Sequence, residues 1–305
     1  MTAMKLHGIF APLTTPFAAD GSIAPERLGE NIARYDRIGL AGYVLNGSTG
    51  ESVLLRWEEI YRLWETAKKS AAPGKILIAG TGAESTAETI EHTARAATLG
   101  YDAALVRTPH FYKPQMKIDA LAEFYLRVAD ASRIPVLVYS VPIFTNLQVD
   151  AALIARVAQH SNTIGMKDSS GDVEGVRTII AAAPKSFQTL VGSASTLFES
   201  LELGACGAIL ALANAFPELC VEIYETSRAG DAARARSLAQ KLIAPAKILG
   251  PQYGIPGLKY TLDRNGYYGG SSRHPLLPLS ADAKLEIDAM LMAIVPETSV
   301  ARSIN

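Results

Sequence analysis

The feature that most constrains this chain is an alternation. Short, almost continuously apolar runs that end in polar residues are each followed by a stretch with helical spacing. The runs fall at residues 8–17, 42–48, 75–81, 102–109, 134–142, 163–168, 187–192 and 207–214. Between the first two, Leu28, Ile32 and Tyr35 recur at helical intervals over 24–38; after the second, Leu54, Trp57, Ile60, Tyr61 and Trp64 do the same. A strand that is apolar at nearly every position has both faces buried, which requires a parallel sheet covered by its own crossover helices. Runs repeating every 20 to 35 residues or so fit β-α units, and about eight of them close into a ring. The expected fold is α/β, a (β/α)8 TIM barrel. A doubly wound open sheet is the rival, but Thr14-Thr15-Pro16-Phe17 stands where its glycine fingerprint would follow the first strand. After Asn214 the runs stop and helical spacing continues over 217–228, 232–249, 257–265 and 281–294. No low-complexity linker intervenes. The expectation is a barrel over 1–225 and a C-terminal helical appendage, 226–305, packed against it.

Composition removes several classes of function. Charged residues make up 19% of the 305, the net charge is -1 and there is no basic block, so neither nucleic acid nor an anionic membrane is an expected partner. The longest apolar runs, such as 207–213, are too short to span a bilayer, and 1–8 lacks the apolar core of a signal peptide. A soluble, cytoplasmic protein is expected. Cys206 and Cys220 form no C-x-x-C pair and read as packed thiols. The five histidines, His7, His92, His110, His160 and His274, lack metal-ligand spacing and are expected mostly on helix surfaces or turns. No metal is expected.

In a parallel barrel the C-terminal strand ends converge on one mouth. That gathers Thr14 and Thr15, Ser48 and Thr49, Thr81, Tyr139, Lys167, and the backbone around Gly192 and Ile209. Lys167 is the residue to explain. At a buried strand end a lysine loses hydration, its pKa falls, and the neutral amine becomes a nucleophile toward carbonyls. The alternative is an ion pair with Asp168 or another carboxylate. The loop Gly47-Ser48-Thr49-Gly50 can present N–H groups and hydroxyls to a carboxylate, although helix capping would also explain its hydroxyls. One lysine, one phenol and several hydroxyls, without a carboxylate pair, suit imine chemistry on a keto acid. Two other readings compete: a phosphate-binding barrel enzyme using Gly192-Ser-Ala-Ser195, and a non-enzymatic keto-acid sensor, for which no basic patch or reader helix speaks.

Gly47-Ser-Thr-Gly-Glu-Ser52, Tyr139-Ser-Val-Pro142 and Gly165-Met-Lys-Asp-Ser-Ser-Gly171 resemble the signatures of the dihydrodipicolinate synthase and N-acetylneuraminate lyase superfamily, in order and over nearly the whole chain. The resemblance implies a covalent imine between Lys167 and pyruvate or a pyruvate-derived keto acid, with no other cofactor. It also implies Tyr139 as the proton carrier, Ser48 linking it to a hydroxyl relay, and Gly47, Thr49, Gly192 and Ile209 around the bound pyruvate. By the same analogy the chain assembles as a homotetramer, a dimer of dimers, with Phe111-Tyr112 as an interface element. Two positions depart from the synthase pattern: Phe144 replaces the arginine that binds the aldehyde substrate's carboxylate, and Phe111 replaces a relay tyrosine, leaving Tyr112 or His110 as substitutes. Tyr253-Gly-Ile-Pro-Gly-Leu-Lys259 and Gly266-Tyr-Tyr-Gly-Gly270, with Ala211-Leu-Ala-Asn214, are most similar to the 4-hydroxy-2-oxoglutarate aldolase branch, though Thr49 stands where that branch has asparagine. The expected reaction is therefore cleavage of a 4-hydroxy-2-oxo acid to pyruvate and an aldehyde. Condensation of pyruvate with aspartate semialdehyde is the alternative.

Overall fold

The structure is a computed structural model that describes residues 4–294. Residues 1–3 of the expected barrel region and 295–305 of the expected C-terminal region lie outside the described residues. Eight strands form one closed parallel barrel in sequence order: β1 (Gly8–Pro12), β2 (Gly42–Leu45), β3 (Ile76–Gly80), β4 (Ala103–Arg107), β5 (Val136–Ser140), β6 (Thr163–Asp168), β7 (Gln188–Val191) and β8 (Gly207–Ile209). β8 pairs back onto β1, with Gly8 opposite Gly207. Helices between the strands cover the ring, as both-face burial of the runs requires. In β5, for example, Leu137 and Tyr139 point into the barrel with Phe10, Val44, Ile78, Leu105, Leu190 and Ile209. Val136 and Val138 point outward, against Leu121, Tyr125 and Ile154 of the helical layer. The TIM barrel expected from the alternation is the observed fold.

Three segments differ from the sequence expectation. The first run is a strand only to Pro12; beyond it Pro16, which cannot donate to a ladder, leads into a turn in which Ala18 N donates to Ser22 O at 2.8 Å. The last run ends as a strand at Ile209, and Ala211–Asn214 turns into one 3₁₀ coil. There the Asn214 amide donates to Pro12 O at 2.9 Å and Ala211 O at 3.0 Å, so a side chain replaces the strand ladder. The stretch 232–249 is broken into Ala232–Gln240 and Ile243–Lys247, followed by a wide turn over Ile248–Gln252 that carries Pro251.

The C-terminal segment packs on the barrel beside its first unit. Tyr267 stacks on Tyr35 with ring centroids 4.5 Å apart, and Asn31 exchanges two 2.8 Å hydrogen bonds with the backbone of Tyr268. The helix Gly254–Arg264 brings Lys259 to Glu51 at 2.6 Å, a pair with both side chains about 1% exposed. Among the described residues no helix is long and apolar enough to cross a membrane.

Candidate active site

β6 carries Lys167 to the mouth, where it is 4% exposed. In the ladder Arg107 of β4, Tyr139 of β5 and Lys167 of β6 are register partners, so three polar side chains share one layer across three neighbouring strands. Lys167 Nζ approaches the Tyr139 hydroxyl at 3.5 Å and lies 4.4 Å from its ring centroid. Tyr139 Oη is in turn 3.3 Å from Ser48 Oγ, and either hydroxyl can donate. Lys167, Tyr139 and Ser48 thus form a continuous chain of polar atoms.

The ion-pair alternative for Lys167 is not realised. Asp168, one residue on, points to the other face of the sheet, where it accepts hydrogen bonds from the backbone and hydroxyl of Ser170. Burial pushes its carboxyl up despite those bonds. Among the described residues no carboxylate lies within ion-pair distance of Lys167, so this buried amine is not held by a counter-charge.

The loop after β2 is a 3₁₀ turn, Ser48–Gly50, in which neither hydroxyl caps the turn that follows. Gly47, Thr49 and Gly50 are buried, and Thr15, in the loop after β1, donates to Gly50 O at 2.7 Å. Glu51 ends the turn in the left-handed region, φ 58°, pinned by Lys259 and by the Arg273 backbone N–H at 2.8 Å. Arg273 itself forms a two-pronged pair with Glu59 at 2.7 Å for each contact. Loop geometry is therefore set by residues more than 200 positions away.

Gly192, at the end of β7, faces Lys167 directly: a Cβ there would lie 2.9 Å from Lys167 Cε and 1.9 Å from Ser169 Oγ. Its value at the site is the side chain it lacks. Ile209 is fully buried inside the barrel below the mouth. Thr81 is a correction: its hydroxyl accepts from Thr93 at 2.8 Å on the covering helix Thr86–Thr98, so it faces away from the mouth.

A cavity of about 400 Å³ meets this chain of polar atoms at Tyr139 and Ser48, with Lys167 outside its lining. It is lined by Ser48, Tyr139, Glu84, Arg107 and His110 among others. Burial would raise the Glu84 carboxyl, but the backbone N–H groups of Phe111 and His110, with the neighbouring His110 and Arg107, hold it below the usual range. His110 Nδ1 sits 2.7 Å from Glu84. Of the two substitutes for the missing relay hydroxyl, His110 lines the cavity while Tyr112 is 69% exposed. Phe144 is 63% exposed. His92 is the one histidine of the five that is buried, packed on Trp57 and bonded to Tyr61 Oη at 2.6 Å.

Arg107 and Glu84 were not singled out by the sequence reading. The available signal was the charge that interrupts Ala103-Ala-Leu-Val at the strand-end position equivalent to Tyr139 and Lys167.

Fold and site together define the class, a (β/α)8 barrel whose sixth strand carries a buried lysine with no carboxylate at ion-pair distance among the described residues. Residues 5–294 match the dihydrodipicolinate synthetase family, and the chain belongs to that family, whose members are lyases that form Schiff bases with pyruvate. The chain is 31% identical over 280 residues to a 4-hydroxy-tetrahydrodipicolinate synthase of an Exiguobacterium species, covering 92% of this chain and 95% of that one. It superposes on a dihydrodipicolinate synthase from Bacillus anthracis with a TM-score of 0.92 at 25% identity, covering 96% of this chain and 100% of the other. A dihydrodipicolinate synthase from Acinetobacter baumannii, solved in complex with pyruvate, matches with a TM-score of 0.91 at 30% identity, over 95% of this chain and 100% of that one.

Proposed function

We propose that Lys167 forms an imine with pyruvate and that the enzyme joins the resulting enamine to an aldehyde, or runs that step in reverse. The observation that carries this reading is the buried Lys167 Nζ, with no carboxylate partner, 3.5 Å from the Tyr139 hydroxyl. As the free amine, Nζ adds to the C2 carbonyl of pyruvate and water leaves, giving a cationic imine. Loss of a C3 proton gives the enamine, C3 bonds to the aldehyde carbon, and the aldehyde oxygen takes a proton through Tyr139 and Ser48. Water then releases the product from Lys167. Gly47 and Thr49 bound the space for the pyruvate carboxylate, while Gly192 and Ile209 shape the wall near its methyl carbon. No outside cofactor enters these steps.

For the second half of the reaction, the relatives' names favour condensation with aspartate semialdehyde over cleavage of 4-hydroxy-2-oxoglutarate, the first expectation from sequence. Cleavage stays as a second reading because Phe144, exposed and uncharged, stands where the synthase pattern has its carboxylate-binding arginine. Membership of a lyase family displaces the phosphate-binding and sensor readings.

Borohydride reduction in the presence of pyruvate tests the imine. The protein should gain the mass of one reduced pyruvate adduct, and Lys167→Ala should gain none. Absence of the adduct in the wild-type protein sinks the reading. Assays of aspartate semialdehyde condensation and of 4-hydroxy-2-oxoglutarate cleavage side by side then choose between the two reactions. We also propose a homotetramer, as is typical of the family, with the exposed Phe111 and Tyr112 at an interface. Light scattering should give four times the chain mass, and a monomer mass rejects it.

A further inference from the structure

We propose that Arg107 binds the carboxylate of the aldehyde half of the substrate, the task left open by Phe144. The inference rests on the imine reading above and adds to it the recognition of the second substrate.

Position comes first. Arg107 is the register partner of Tyr139, as Tyr139 is of Lys167, so the guanidinium and the amine flank the phenol from opposite sides. Strands lie about 4.8 Å apart, which puts the two backbones roughly 10 Å from one another. Both side chains are long enough to reach inward over that span. Arg107 lines the same cavity as Tyr139 and Ser48, whereas Phe144 is turned out to solvent.

Unspent hydrogen-bonding capacity comes second. The Arg107 side chain is 18% exposed, and its Nε is buried with no hydrogen-bond partner. A guanidinium presents five N–H donors in a planar fork suited to carboxylates, and a buried donor left unmade is costly. The neighbouring carboxylate takes up only one of those donors, and at long range. Glu84 Oε1 is 3.4 Å from Arg107 Nη2, longer than the roughly 2.7–2.9 Å of a strong charge-assisted bond. Glu84 Oε2 accepts instead from the backbone N–H groups of His110 at 2.8 Å and Phe111 at 2.9 Å, with the His110 ring packed alongside. These donors offset the repulsion that Glu84 would otherwise exert on an incoming anion.

Direction comes third. With pyruvate held on Lys167, the aldehyde carbon must meet C3 beside the Tyr139 hydroxyl, and the remainder of that molecule extends into the cavity on the Arg107 side. A carboxylate one or a few carbons beyond the aldehyde carbon is then directed toward the guanidinium. Aspartate semialdehyde and glyoxylate both carry such a group, so the assignment holds for either reaction.

The test uses borohydride capture and needs no knowledge of the natural aldehyde. Two five-carbon 2-oxo acids are compared: 2-oxoglutarate, charged at both ends, and 2-oxopentanoate, whose far end is apolar. The wild-type protein should be half-captured at a lower concentration of 2-oxoglutarate than of 2-oxopentanoate. Arg107→Met should raise the 2-oxoglutarate value by about tenfold or more and leave those for 2-oxopentanoate and pyruvate within about threefold. Arg107→Lys, which keeps the charge without the fork, should fall between. No preference in the wild-type protein, or an equal change for both five-carbon acids in Arg107→Met, overturns the assignment. Failure of the wild-type protein to capture pyruvate would instead overturn the imine reading beneath it, and unchanged pyruvate capture by the variants excludes misfolding.

Discussion

At the scale of single residues, the site depends on what is missing as much as on what is present. Lys167 has room to sit beside Tyr139 because the residue that follows β7, Gly192, has no side chain and no space for a Cβ. Ser169 can rotate its hydroxyl aside, but Lys167 Cε is enclosed and cannot withdraw without moving the amine. Gly192→Ala should therefore slow borohydride capture of pyruvate by about tenfold or more, while overpacking costs only about 1–3 kcal/mol of stability. Capture kinetics and thermal unfolding check both halves, and capture at the wild-type rate would show that Gly192 does not shape the lysine's position. Tyr139, Lys167 and Ser48 were gathered from sequence because the C-terminal ends of parallel strands converge on one mouth, and the motifs around them carried the resemblance that gave them roles. Arg107 obeys the same rule. The sequence places it within the run 102–109, but only strand register puts it beside Tyr139.

At the scale of elements, the helices Trp57–Ser70 and Thr86–Thr98 face each other through Trp57, Tyr61, Glu88 and His92. Trp57 Nε1 donates to Glu88 at 2.9 Å, and both of those residues line the cavity wall. Burial lowers the pKa of His92, against the opposing pull of Glu88 and Glu91. The unfolded chain then binds more protons than the native protein as pH drops below the free histidine value of about 6.5. His92 therefore contributes stability that is fully present above that pH and is lost as pH falls through its lowered native pKa. The unfolding temperature should fall for the wild-type protein between about pH 7.5 and pH 5.5, and more steeply than for His92→Gln. Parallel slopes for the two proteins would remove His92 from the account. The burial of His92 was not evident in sequence: Thr86–Thr98 is amphipathic in either reading, and which edge of its polar face meets the neighbouring helix is a matter of packing.

At the scale of the whole molecule, the C-terminal segment is built into the barrel mouth. Lys259 and Arg273 both lie over the Phe17 ring, at 4.4 and 4.5 Å, and both hold Glu51, which closes the loop carrying Ser48 and Thr49. Lys259 Nζ also donates to Ser271 O at 2.8 Å. Burial pulls the Lys259 pKa down while Glu51 pulls it up, as expected of a pair enclosed together. Removing one member leaves a buried charge, so Lys259→Met should cost about 3–5 kcal/mol in urea unfolding, and adding Glu51→Gln should return part of that loss. A cost below about 1 kcal/mol would mean that the pair does not join the two regions. Sequence alone determined the barrel, its closure by about eight units and the strand-end identity of Lys167 and Tyr139, because burial on both faces and helical spacing are local patterns. It could not decide that Lys167 escapes Asp168, that Lys259 reaches Glu51, or that Arg107 shares a layer with Tyr139. Those outcomes depend on register and on contacts between residues far apart in the chain, which no local periodicity encodes.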